Sequence, residues 1–392
     1  MSARAMTSRQ RVEAALAFRP VDRLPQDLGG STGASGIHVL AYARLRAALG
    51  LEERPIRCND LMQQLAVIDD DARAALQLDV VQINGVTFAR DWRPYPLYPE
   101  TDIWLPAPVA PERDDADGAW RIRDAAGNVY RKPDSSFYFD AEDGVSWYGM
   151  CPPLTDEFLA DLAEHTAALH RATEYALVAN FGGGFFQPAT PENLIEMIEE
   201  PETARRRLER KCDQLIATYS RLHGAVGDYT CCIVFADDFG SQDSTLLSPR
   251  LFADIIAPHY RRFADWLHRH TRWKFYLHTC GAIEPLLETI IGMGVDILNP
   301  IQTSARGMDP ARLKQCYGDR LVFWGGGCDT QQMLGRAPTE ELRRHVAERR
   351  ALFGAGSGYV FNQIHAIQPN VRPEDILALF PPRAAAPVGG AA

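Results

Sequence analysis

Two side chains two residues apart, His278 and Cys280, form the pair in this sequence best suited to hold a metal ion. They stand in Leu277-His278-Thr279-Cys280-Gly281, at the end of a short apolar run. On an extended strand, residues i and i+2 project to the same side, so an imidazole nitrogen and a thiolate can converge on one ion. A third soft donor, Cys328, follows Phe323-Trp324-Gly325-Gly326-Gly327. One nitrogen and two sulfurs suit Zn²⁺. Three protein ligands leave a fourth position open for water or substrate, which is the catalytic arrangement. The ordinary role of a cysteine, a small buried hydrophobe, stands beside this reading.

Other polar groups sit at the ends of apolar runs. Asp27 precedes the loop Gly29-Gly30-Ser31-Thr32-Gly33, and Asn84, Asn180, Asn299, Gln302 and Asn362 end further runs. These six are candidate substrate contacts. Asp237, Asp238 and His365 are the candidate catalytic groups. The two aspartates suit metal ligation, general-base work or substrate orientation, or merely a turn before Gly240-Ser241-Gln242. His365 suits acid–base chemistry or a satisfied place in the core. The Gly182-Gly183-Gly184 loop lacks the spacing of a dinucleotide fingerprint or a P-loop and fits close backbone approach to a bulky ligand.

The elements that must position these groups are eight short apolar runs, at 24–27, 80–84, 176–180, 232–238, 274–280, 297–302, 321–327 and 359–365. Their continuity predicts parallel strands covered by helices. Helical spacing is predicted at 201–226, 248–270, 283–293 and 339–353, the second opening on Ser248-Pro249 and the last on Pro338-Thr339-Glu340. Strand and helix alternating in this way predict an α/β fold, a single (β/α)₈ TIM barrel over residues 1–380 with its active site at the C-terminal strand ends. Residues 88–150 interrupt the pattern with Trp92, Tyr95, Tyr98, Trp104, Trp147 and Tyr148, and with a hairpin at 120–130 turning at Gly127-Asn128. They are expected to form a β-rich cap inserted over the barrel mouth. The Ala/Pro/Gly-rich tail, 381–392, is expected to be disordered.

The bulk properties exclude several classes. Of the 392 residues, 46% are hydrophobic and 23% charged, ordinary values for a globular chain. A net charge of −10 argues against nucleic acid, which needs a clustered positive face. No run approaches the roughly 18 apolar residues of a membrane span. The first residues lack the apolar stretch of a signal peptide, so a cytoplasmic protein is expected. Eight cysteines in a chain of this size do not suggest a disulfide framework.

At these residues the chain resembles the uroporphyrinogen decarboxylase superfamily, and within it the branch of cobalamin-dependent methyltransferases. The resemblance covers roughly residues 6 to 380. It runs from Thr7-Ser8-Arg9-Gln10-Arg11 and Arg19-Pro20-Val21-Asp22-Arg23-Leu24-Pro25 to Phe235-Ala236-Asp237-Asp238-Phe239-Gly240, His278-Thr279-Cys280-Gly281 and Asn299-Pro300-Ile301-Gln302. It ends in Trp324-Gly325-Gly326-Gly327-Cys328-Asp329 and Phe361-Asn362-Gln363-Ile364-His365-Ala366-Ile367-Gln368. The resemblance implies a zinc ion on His278, Cys280 and Cys328, and methyl transfer between a small substrate and a corrinoid (cobalamin) carried by a partner protein. The ion would hold a thiol as thiolate, or polarise the oxygen of a methyl ether or methanol-like donor. Some relatives add a carboxylate ligand where Gln302 stands, which leaves the fourth ligand and the direction of transfer open. The alternative within the superfamily is metal-free decarboxylation of an acidic tetrapyrrole, but its arginine-rich signature is missing from Asp27-Leu28-Gly29-Gly30-Ser31-Thr32-Gly33. A non-enzymatic corrinoid-binding module is a further alternative, and a homodimer is left open.

Overall fold

Seven of the eight apolar runs become parallel strands of one curled sheet. The computed structural model describes residues 5–383 except 125, 145–151 and 187–189; Trp147, Tyr148, Cys151 and the tail from 384 lie outside the described residues. Numbered along the chain, the strands are β1 (Ile56–Asp60), β2 (Leu65–Ala66), β3 (Val80–Ile83), β4 (Trp92–Tyr95), β5 (Ile103–Pro106), β6 (Glu112–Arg113), β7 (Trp120–Arg123), β8 (Val129–Lys132), β9 (Asp140–Ala141), β10 (Ala176–Ala179), β11 (Thr230–Ala236), β12 (Lys274–His278), β13 (Ile297–Asn299), β14 (Val322–Trp324) and β15 (Tyr359–Val360). The large sheet has the order β15-β14-β13-β12-β11-β10-β3, parallel throughout, a TIM-like half-barrel.

The expected eighth strand, 24–27, contributes one bridging residue, Gln26. Pro25 has no N–H to donate, and the Gln26 N–H is taken by the Asp79 carboxylate at 2.9 Å, so no regular ladder forms. The segment nevertheless touches both sheet edges. Asp27 N–H donates to Phe361 O and Phe361 N–H to Pro25 O beyond β15, while Asp79 N–H donates to Gln26 O ahead of β3.

Period-two alternation explains where chemistry can sit. Val80, Val178, Val234, Tyr276, Ile297, Val322, Trp324 and Val360 pack together on one face of the strands. The first helix, Ser8–Leu16, adds Val12, Ala15 and Leu16 to the same cluster and seals its N-terminal end; the helix itself starts at a Thr7–Gln10 capping box. Two residues further along, the same face turns polar on five of the seven strands, at Gln82, Asn180, His278, Asn299 and Asn362. The opposite face packs against helices. Pro201–Val226, at the predicted bounds, buries Leu208, Cys212, Leu215, Tyr219, Leu222 and Val226 at helical spacing. The helix opening at Ser248 is capped by that side chain, which accepts Leu251 N–H at 3.2 Å. It widens into a π-turn over Phe252–Ile256 before Ala257–His270, because Pro258 cannot supply its N–H to the preceding turn.

The segment between β3 and β10 is β-rich, as expected. The 120–130 hairpin is present, with Trp120 opposite Lys132 and Ile122 opposite Tyr130. The segment pairs with strands that precede it. The sheet β2-β1-β5-β4 recruits β1 and β2 from before the insert, and β1 runs parallel to β5. That pairing covers an edge that the β4–β5 hairpin alone would leave open. The second sheet is β6-β7-β8-β9. The tip of β1 reaches the C-terminal end of β3, where Asn59 donates to Gln82 Oε1 at 2.8 Å and accepts from Asn84 Nδ2 at 2.9 Å. Among the described residues no helix is long and apolar enough to cross a membrane.

Candidate metal centre

The C-terminal ends of β12 and β15 bring three donors together. One ligand atom each from His278, Cys280 and His365 lies within 4.8 Å of the others. Cys280 Sγ is 3.5 Å from His278 Nε2. A tetrahedral zinc with bonds of about 2.1 Å to nitrogen and 2.3 Å to sulfur would set those atoms about 3.6 Å apart. The pair therefore stands at coordination spacing, and the donor chemistry fits zinc. All three residues are part-buried, so the group is reachable from outside.

Asp238 frames the group. Its Oδ1 accepts the Cys280 N–H at 2.7 Å and lies 3.9 Å from His278 Nε2. Asp237, one residue earlier, projects to the other face of β11. It is fully buried, accepts the Phe185 N–H at 2.5 Å and the Tyr260 hydroxyl, and so anchors the loop after β10 rather than joining the donors. Burial pulls His365 down to about 4, helped by His278 and opposed by Asp238, so its imidazole is neutral at pH 7. Its Nδ1 accepts the Ala366 N–H at 2.9 Å. Burial, reinforced by Asp238, pushes the Cys280 thiol up.

Cys328, expected as the third ligand, is not in this group; His365, expected as an acid or base, is. The Cys328 thiol is fully buried and directed at Asp329 O, 3.6 Å away. Burial raises its pKa, and the charges acting on it are those of Asp329, Arg349 and Asp375. The physical reason lies just upstream. β14 ends at Trp324, and Gly325 and Gly326 follow with φ of +117° and +72°, so strand alternation no longer determines which way residue 328 points.

The candidate substrate contacts divide. Asn299 Oδ1 lies 2.6 Å from His278 Nδ1, and Gln302 Oε1 accepts the Gly281 N–H at 2.8 Å, so both support the donor group. Gln302 Nε2 is spent on Gln242 at 2.9 Å. Asn84 and Asn180 belong to a second polar patch with Gln82 and Ser31: Asn180 Nδ2 and Gln82 Nε2 donate to Ser31 O at 3.0 and 2.7 Å. Asp27 is fully buried beneath it, accepting from Gly30 N–H at 2.7 Å, Trp324 Nε1–H at 2.9 Å and the Ser31 hydroxyl. Burial raises its pKa against those bonds. Asn362 is fully buried with neither amide atom hydrogen-bonded.

The profile of the uroporphyrinogen decarboxylase (URO-D) family matches residues 177–383, just over half of the chain and the part that carries the donor group. The chain belongs to this family. A uroporphyrinogen decarboxylase from Nitrosococcus oceani is 28% identical over 186 residues, which cover 47% of this chain and 48% of the relative. One from Aeromonas salmonicida is 29% identical over 181 residues, covering 45% and 47%. The chain thus spans about half the length of the relatives it matches. Among solved structures, a methyltransferase from Methanosarcina mazei is similar over 95% of this chain and 97% of its own, with a TM-score of 0.56 at 16% identity, a likeness of fold.

Sequence reasoning missed two members of the second polar patch, Gln82 and Asn59. Gln82 carried a signal, a lone amide inside the apolar run Val80-Val81-Gln82-Ile83. Asn59 carried none, since Ile56-Arg57-Cys58-Asn59-Asp60 has neither clear alternation nor turn signals to mark it as a strand.

Proposed function

We propose that this chain is a zinc-dependent methyltransferase that moves a methyl group between a small substrate and a corrinoid carried by a partner protein. The observation that carries the reading is the His278–Cys280–His365 group, with its 3.5 Å nitrogen–sulfur spacing at the strand ends. Family membership and the fold shared with a methyltransferase support it. A zinc ion bound there would supply Lewis acidity, holding a thiol as thiolate or polarising an ether or alcohol oxygen. His278 offers Nε2, Cys280 its sulfur, and His365 a neutral ring. Asp238 stands close enough to take the proton that a substrate thiol or hydroxyl releases. Gln302 has both amide atoms engaged, which leaves a fourth position to substrate. We read Pro25–Asp27 as the eighth stave of a closed barrel, residues up to 380 as one domain capped by the β-rich segment, and the protein as cytoplasmic.

The second reading, metal-free decarboxylation of a tetrapyrrole, is favoured by the names of the relatives. Against it, the loop from Asp27 to Gly33 carries no cation to meet substrate carboxylates, and Asp27 is fully buried. The test mixes the purified protein with reduced or methylated cobalamin and a panel of methyl ethers and thiols, and follows the cobalt absorption spectrum. Spectral change that is lost in Cys280→Ala supports methyl transfer. Release of CO₂ from uroporphyrinogen by wild type and Cys280→Ala alike, with no cobalt change, hands the case to decarboxylation.

A further inference from the structure

A neutral imidazole binds metal only through the nitrogen that lacks the proton, and the partner of the other nitrogen decides which one that is. In His278, Nδ1 meets Asn299 Oδ1 at 2.6 Å while Nε2 faces Cys280 Sγ. The contact follows from the sheet. His278 and Asn299 are register partners on adjacent parallel strands and share the inner face. An asparagine amide can turn over and offer nitrogen instead of oxygen. Here it is held: Nδ2 donates to Trp324 O at 2.7 Å, and a turned amide would press its oxygen against that carbonyl. The Thr32 hydroxyl donates weakly to the same Oδ1 at 3.4 Å. The Asn299 backbone is also fixed, its carbonyl accepting the Thr279 N–H at 2.6 Å. The side chain is fully buried, so water cannot replace it.

We propose that Asn299 is a positioning residue that holds His278 with its proton on Nδ1 and so presents the Nε2 lone pair to the metal. The proposal rests on the zinc reading and deepens it. A carboxylate at this place would orient the ring and also raise its basicity. An amide orients without adding charge, which leaves the bound ion more electrophilic, the property that polarising a methyl–oxygen bond requires. The assignment thus favours an oxygen-bound methyl donor as the substrate class.

The test uses the full chain, zinc alone as the probe, and the variants Asn299→Leu and Asn299→Asp. Zinc Kd is measured by chelator competition, and the His278 tautomer by ¹⁵N NMR of the zinc-free protein. Wild type should show Nδ1–H. Asn299→Leu should mix in Nε2–H and bind zinc about 10–100-fold more weakly. Asn299→Asp keeps the acceptor for Nδ1–H and, with its second oxygen protonated, the donor to Trp324 O, so it should retain Nδ1–H and recover most of that affinity. A folded Asn299→Leu with wild-type Kd overturns the proposal, as does Nε2–H in the wild type, a result that stands even where the leucine variant does not fold. Wild type with no zinc affinity but His278 held as Nδ1–H overturns the zinc reading instead.

Discussion

Replacing His365 and Cys328 in turn decides which of them completes the metal group. Structural zinc sites bind with about 10–16 kcal/mol over four ligands, so one ligand is worth about 2.5–4 kcal/mol, or roughly two to three decades in Kd. For His365 to join His278 and Cys280, its Nδ1 must release the Ala366 N–H, either to bind the ion itself or to take the proton so that Nε2 can. Giving up one neutral hydrogen bond costs about 0.5–1.5 kcal/mol, well below the gain. Cys328 would have to turn its sulfur away from Asp329 O and out of the apolar core. His365→Ala should therefore weaken zinc binding by about 100-fold or more. Cys328→Ala should leave Kd within a few-fold and cost about 1 kcal/mol of stability for the lost buried atom. Competition with a chromophoric chelator reads the first quantity and urea unfolding the second. Loss of zinc from Cys328→Ala, with His365→Ala unaffected, would refute this reasoning and place the sulfur in the site.

Asp79→Ala removes the buried carboxylate that pairs with Arg11 at 2.6 Å and Arg23 at 2.7 Å, and should cost about 3–5 kcal/mol in urea unfolding; a loss under about 1 kcal/mol would contradict the role given to it. Burial pulls His38 down to about 4, whereas in the unfolded chain it titrates near 6.5, so its contribution is complete above about 6.5 and is lost as pH falls toward 4. His38→Asn keeps a cap acceptor for Leu40 N–H and should flatten the pH-dependence of stability by up to about 1.4 kcal/mol per pH unit in that window; an unchanged slope would count against it. Asn362→Leu removes two unbonded buried amide atoms and should raise stability by about 1–2 kcal/mol while weakening substrate binding; a loss of stability instead would mean the amide has a partner such as a bound water.

Local chemistry made much of this protein readable in one dimension. The apolar runs are strands because their side chains suit a sheet buried on both faces, and seven of them pair in parallel. The convergence of His278 and Cys280 follows from the two-residue period of any extended strand. What lay beyond the sequence depends on partners distant along the chain. Asp237 and Asp238 are equal on paper, and only the packing of Val234 on the inner face sends the second, not the first, toward His278. Asn299 reads as one more strand-end amide until the register between β12 and β13 sets it beside His278. The membership of the donor group was decided last of all. Two glycines at positive φ uncouple Cys328 from its strand, while the segment after β15 carries His365 back over β12, where its ring centroid lies 6.3 Å from that of His278. Strand periodicity ends with the strand, and past that point only the packing of the loops determines which side chains meet.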